Sequence, residues 1–111
     1  MLAKQYRLSK EKDINRVFKN KSTLFGKSVI LNWTTNQSTN SRFAFVVSNK
    51  TFAKAVDRNY YKRILRDIIY QLIKDIPTNL DIVLVIKKEI DQMNFSAVLE
   101  DIRGLIKKLK K

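Results

Sequence analysis

The run D-I-V-L-V-I, Asp81 to Ile86, is apolar on both faces and rich in β-branched residues. That pattern belongs to a strand buried in the middle of a sheet, because a half-exposed strand alternates apolar with polar positions. A chain of 111 residues with 44% apolar side chains has the length of one domain and enough apolar surface to bury a modest core around it. Two other segments do alternate. Lys27 to Thr34 sets Val29, Leu31 and Trp33 against Ser28, Ile30 and Asn32, and Arg42 to Ser48 sets Phe43, Phe45 and Val47 against Arg42, Ala44 and Val46. Between them Asn36 to Ser41, N-Q-S-T-N-S, is a loop of turn formers, so the expectation is a hairpin.

Three segments carry the helical period instead. Ser9 is the expected N-cap of a helix over Lys10 to Lys19, with Glu11 and Asp13 in its first turn and Ile14, Val17 and Phe18 on one side. A second helix runs from Ala55 to Lys74 and ends before Pro77 and Asn79. A third carries the stripe Phe95, Val98, Leu99, Ile102, Leu105, Ile106 and Leu109. The order is α-β-β-α-β-α with room for one more short strand, in a single domain spanning residues 1–111. No internal repeat or linker interrupts it.

Charge narrows the partner. There are 23 basic and 10 acidic residues, a formal net charge of +13, which is the electrostatic footprint of a nucleic-acid binder. No acidic residue occurs from Ile14 to Val56, a span holding Arg16, Lys19, Lys21, Lys27, Arg42, Lys50 and Lys54. The absence of cysteine and histidine removes disulfides, thiolate chemistry, the commonest general base and the commonest metal ligands. Carboxylates close in sequence are only Glu11 with Asp13, Glu89 with Asp91 and Glu100 with Asp101, so no active site built from protein side chains is expected. No apolar run is long enough to span a bilayer, and the expectation is a soluble, cytoplasmic protein.

The second helix concentrates the charge. At about 100° per residue, Arg58, Lys62, Arg66, Asn59 and Arg63 fall within one arc of about 140°, while Ile64, Leu65, Ile68, Ile69, Leu72 and Ile73 form the core side. An ordinary solvated face mixes signs at i,i+4; here only Asp67 faces Arg63, and like charges at that spacing cost stability. Asn59, a poor helix former, adds a donor and an acceptor. Arginine forks and lysine point charges suit phosphate oxygens, and four such contacts would give a salt slope of roughly −3 to −4. For unpaired bases, Phe18, Trp33, Phe43 and Phe45 are the aromatics available for stacking, although core packing is the better reading for Phe43 and Phe45. The basic end of the last helix, Lys107 to Lys111, suits that helix's own dipole better than it suits a membrane surface.

The stretch A-V-D-R-N-Y-Y-K-R-I-L-R-D, Ala55 to Asp67, resembles the signature A-V-x-R-N-x-x-K-R-x-x-R-[ED] of the protein subunit of bacterial ribonuclease P. R-L-S-K-E-K-D-I-N-R-V-F-K (Arg7 to Lys19), F-A-F-V-V-S-N-K before the signature and D-I-V-L-V-I-K-K after it are similar to the family's flanking segments. The resemblance implies an α+β fold, an α-β-β-β-α-β-α sandwich with a left-handed βαβ crossover, like the second domain of a small-subunit ribosomal protein. It also implies a role beside a catalytic RNA that removes the 5′ leader from precursor tRNA, with Mg²⁺ held by that RNA and none by the protein alone. By the same resemblance Arg58, Asn59, Lys62, Arg63 and Arg66, with Lys54 and Lys50, face the catalytic RNA. Phe18, Ile14, Trp33 and Arg16 belong to a cleft for the leader, between the first helix and the sheet. Against the family pattern, Ser48 to Val56 lacks a glycine and is one residue longer, Ile14 stands where phenylalanine is frequent, and the first-strand tyrosine has Asn32 and Trp33 as competing counterparts. The alternative is a structural RNA-binding protein of ribosomal type with no associated catalysis.

Overall fold

A computed structural model describes residues 4–19, 22–27, 29–47, 54–86 and 95–109. Its elements are α1 (Glu11–Lys19), β1 (Ser22–Phe25), β2 (Val29–Thr35), β3 (Arg42–Val46), α2 (Ala55–Leu72), β4 (Leu80–Ile86) and α3 (Phe95–Leu109), with short 3-10 turns at Lys4–Tyr6 and Ile73–Asp75. The four strands form one mixed sheet in the order β1-β2-β4-β3. The doubly apolar strand β4 is central as expected, antiparallel to β2 on one side and parallel to β3 on the other.

That arrangement overturns the hairpin expected across Asn36 to Ser41. β4 inserts between β2 and β3, so the polar loop bridges the start of β4 instead of turning back on its own strand. Its side chains supply the reason: Asn36 donates to Asp81 at 2.7 Å, and the Ser41 hydroxyl accepts from the Leu80 amide at 3.1 Å. Asn79 turns the chain into β4 at φ 67°, a left-handed conformation that asparagine tolerates better than most residues. The hairpin that does form joins β1 to β2, where the Gly26 amide donates to the Val29 carbonyl at 2.8 Å. A Cβ at Gly26 would stand 2.7 Å from the Asp101 carboxylate that accepts from the Lys27 amide, so a larger residue there must turn that side chain aside.

The two faces of the sheet bury different layers. Val29, Leu31, Phe43, Ile82, Leu84 and Ile86 pack against Leu65, Ile68, Ile69 and Leu72 of α2 and Val98, Ile102, Leu105 and Ile106 of α3. The opposite face buries Ala44 and Val83 under Val17 of α1 and Leu8. The third helix is therefore a core helix with a basic end. Helix α1 begins one residue later than expected, since the Lys10 carbonyl accepts the first helical bond and Lys10, not Ser9, takes the cap position. No helix among the described residues is long and apolar enough to cross a membrane.

Candidate RNA-binding surfaces

Helix α1 is anchored to the sheet by little apolar area. Val17 is its fully buried side chain and Ile14 is half-buried, so hydrophobic docking supplies only a few kcal/mol, at about 1.5–3 per fully buried residue. A polar brace completes the attachment. The wholly buried Asp81 carboxylate accepts from Arg42 Nε and Nη2 at 2.9 and 2.8 Å, from Asn36, and from Arg16. Arg16 also donates to the Thr35 carbonyl at 3.0 Å, and Asp13 lies 3.6 Å from Arg42. The bond to Asp81 raises the Arg42 pKa above its ordinary value. Because the folded value is the higher one, this contribution is complete below the ordinary arginine range and is lost only as pH rises through the raised value.

The brace corrects the assignment of Arg16 to the leader cleft. Its guanidinium is committed to Asp81 and Thr35, on the α1 flank opposite the one that carries Ile14 and Phe18. Trp33 also falls outside the cleft: it pairs with Ile82 and packs into the core under α2 and α3, the sheet face away from α1. Its alternation with Val29 and Leu31 already carried that information. Phe43 and Phe45 share that face, so the core reading holds for them.

What remains beside α1 is a cleft of different composition. Phe18 is 38% exposed and Ile14 is half-buried. Beyond them the half-exposed side chains of Ile30, Val85 and Val46 line up across β2, β4 and β3 on the α1 face. In the adjacent row Asn32 is 4% exposed and accepts a hydrogen bond from Thr23 Oγ1 at 2.9 Å. Asn32, rather than Trp33, is thus the β2 residue beneath α1. The signal was a polar residue in phase with Ile30 in an otherwise apolar strand.

Helix α2 places the basic set where its phase predicts. Leu65, Ile68, Ile69 and Leu72 are buried; Asn59, Arg63 and Arg66 are exposed; Arg58 and Lys62 are half-buried. Lys54 stands at the cap position without a side-chain capping bond, so the positive end of the helix dipole adds to the cationic surface. Lys62, Arg63 and Arg66 form no ion pair among the described residues, in contrast to Arg16 and Arg42. Their charge is available to a partner. Lys50, and the loop from Ser48 up to residue 53, lie outside the described residues.

Sequence reasoning separated a ribozyme-facing helix from a leader cleft, but the fold makes them neighbours. A single groove along the outer edge of β3 is lined by Ser9 and Ile14, by Phe43 to Phe45, and by Lys62 and Arg66. Cations of α2 therefore flank the same depression as the apolar α1 side chain, an arrangement suited to a strand that offers both bases and phosphates. The described residues gather no group of three His, Cys, Asp or Glu side chains able to hold a metal.

Comparison with known proteins agrees with this geometry. A family model described as Ribonuclease P matches residues 2–110. The ribonuclease P protein component of Syntrophomonas wolfei is 32% identical over 97% of this chain and 90% of its own length. That of Pseudanabaena is 30% identical over 99% and 96%. The ribonuclease P protein of Thermotoga maritima superposes with a TM-score of 0.84 at 29% identity, covering 92% of this chain and 96% of that one. A Staphylococcus aureus ribonuclease P protein shares the fold at a TM-score of 0.86, over 96% and 90% of the two chains. The chain belongs to the bacterial ribonuclease P protein family, whose members are subunits of a ribonucleoprotein endoribonuclease.

Proposed function

We propose that this chain docks on a catalytic RNA through the basic face of α2 and holds the 5′ leader of precursor tRNA in the cleft beside α1. The observation that carries the reading is the shared groove, in which Lys62 and Arg66 stand beside Ile14 along the β3 edge. Arg58, Asn59 and Arg63 extend the basic face toward the RNA subunit, and Phe18 offers a ring for stacking at the cleft wall. The cationic surface screens phosphate repulsion between two polyanions that must meet, and the cleft makes leader-bearing tRNA the preferred ligand. Hydrolysis and its Mg²⁺ belong to the RNA, and the site of action is the cytoplasm, where precursor tRNA is made. The protein's own side chains bind, orient and neutralise.

The test is cleavage of precursor tRNA by the cognate catalytic RNA at low Mg²⁺, with and without the protein, alongside binding of precursor and mature tRNA. A gain in cleavage together with a preference for precursor supports the reading. A structural RNA-binding protein would give neither.

A further inference from the structure

We infer that the RNA-docking face of α2 continues past the end of its signature to Tyr70 and Lys74, and that Tyr70 stacks on an unpaired base of the catalytic RNA. The inference rests on the docking proposed above and deepens it, adding an aromatic contact to a face otherwise made of charge. Tyr70 is 56% exposed, one turn beyond Arg66 and past Asp67, where the likeness to the family signature stops. Neither its ring nor its hydroxyl has a partner among the described residues, and the side chains of Arg66 and Lys74, four positions before and after it, form no ion pair there. Tyr60 is similarly exposed, but its ring is already met edge-on by that of Tyr61 at 5.2 Å.

Helical phase places Tyr70 among the cations. At about 100° per residue from Arg58, it falls near 120°, between Asn59 near 100° and Arg63 near 140°. Lys74, in the 3-10 turn Ile73–Asp75 that prolongs the helix, is exposed one turn further on. The acids of the segment, Asp57, Asp67 and Asp75, fall at about 180° and beyond, so they border this stripe without entering it. At about 1.5 Å per residue, Arg58 to Arg66 covers about 12 Å and Arg58 to Lys74 about 24 Å, which doubles the length of the face. An RNA duplex would use only its cations, because A-form helices offer phosphates and 2′-hydroxyls while their base faces stay stacked. A ring standing free between two cations suits an unpaired nucleotide instead: the base lies on Tyr70 while Arg66 and Lys74 meet the phosphates on either side. Tyr70 does not line the groove that Lys62 and Arg66 share with Ile14, so its nucleotide belongs to the catalytic RNA and not to the leader.

The test is the dissociation constant of the full chain for its cognate catalytic RNA, measured across a range of salt concentrations for wild type, Tyr70→Ala, Tyr70→Leu, Tyr70→Phe, Lys74→Ala and Arg66→Ala. Tyr70→Ala and Tyr70→Leu should each weaken binding by at least about fivefold, the low end of one stacked base, with the slope of log K against log salt unchanged. Tyr70→Phe keeps the ring and should stay within about twofold of wild type. Lys74→Ala should instead lower the slope by about 0.7–0.9, one phosphate contact. The preference of the assembled enzyme for precursor over mature tRNA should be the same in every Tyr70 variant. The comparison of leucine with phenylalanine, both apolar, decides even if truncation to alanine loosens the helix. Leucine and phenylalanine variants that bind alike overturn the stacking role. A loss that appears with precursor tRNA and not with catalytic RNA overturns the choice of partner. Wild-type affinity in all Tyr70 and Lys74 variants, with Arg66→Ala weakened, overturns the continuation and leaves the proposed docking standing. Wild-type affinity in Arg66→Ala as well overturns both.

Discussion

Asp81→Asn isolates what holds α1 over the sheet. The substitution keeps the shape and removes the charge. One carboxylate oxygen receives Asn36 and Arg42 Nε, the other Arg42 Nη2 and Arg16, and an amide can satisfy only the first pair while pointing its own donors at the second. Removing one partner of a fully buried ion pair costs about 3–5 kcal/mol. Here Asp81 is inaccessible, but the Arg42 and Arg16 side chains are 28% and 37% exposed, so both can turn partly to water and the figure is discounted to about 2–3 kcal/mol. For a domain of this size that is a fall in Tm of about 8–12 °C, at roughly 4 °C per kcal/mol. Urea denaturation followed by far-UV circular dichroism and by the fluorescence of Trp33, the sole tryptophan, measures it. Asp13→Asn is the control, since its contact with Arg42 is long and partly exposed and should be worth under about 1 kcal/mol. Equal effects of the two substitutions, or an Asp81→Asn protein within about 0.5 kcal/mol of wild type, would refute the brace.

Phe18→Ala should weaken binding of leader-bearing precursor by at least about fivefold, the low end of one base-stacking contact, with mature tRNA unaffected; filter binding or fluorescence anisotropy reads both. Arg66→Ala should lower the slope of log K against log salt for catalytic RNA by about 0.7–0.9, one phosphate contact, and an unchanged slope would remove Arg66 from the interface. The two glycines should respond in opposite directions. Gly26→Ala turns the Asp101 carboxylate aside and weakens its bond from the Lys27 amide, and should destabilise by about 0.5–1 kcal/mol, whereas Gly104→Ala, in α3 with open space around it, should stabilise by about 0.5–1 kcal/mol. Chemical denaturation of each variant checks the pair.

Features set by local period were legible in the sequence. The phase of α2 separated its core side chains from Arg58, Asn59, Lys62, Arg63 and Arg66, and the unbroken apolarity of Ile82 to Ile86 marked a central strand. Features set by pairing were not. Which strand lies beside β4 depends on bonds between Asn36, Ser41 and residues some 40 positions away, so the hairpin expected from loop composition was wrong. The cleft suffered for the same reason. Arg16 reads as one more cation until Asp81 is seen beneath it, and Trp33 reads as a stacking platform until the sheet face is fixed. Asn32 shows the converse, since its polarity within V-I-L-N-W was visible but gained meaning only once α1 lay over that face.

The central claim is that a leader cleft and a ribozyme-docking face share one groove on this protein. Cleavage of precursor tRNA by the cognate catalytic RNA at low Mg²⁺, measured as leader length increases, tests it most directly. The account predicts that the protein's enhancement rises as the leader grows long enough to fill the cleft and then levels off, and that Phe18→Ala flattens the rise without loss of RNA docking. An enhancement independent of leader length, or none over RNA alone, would contradict it.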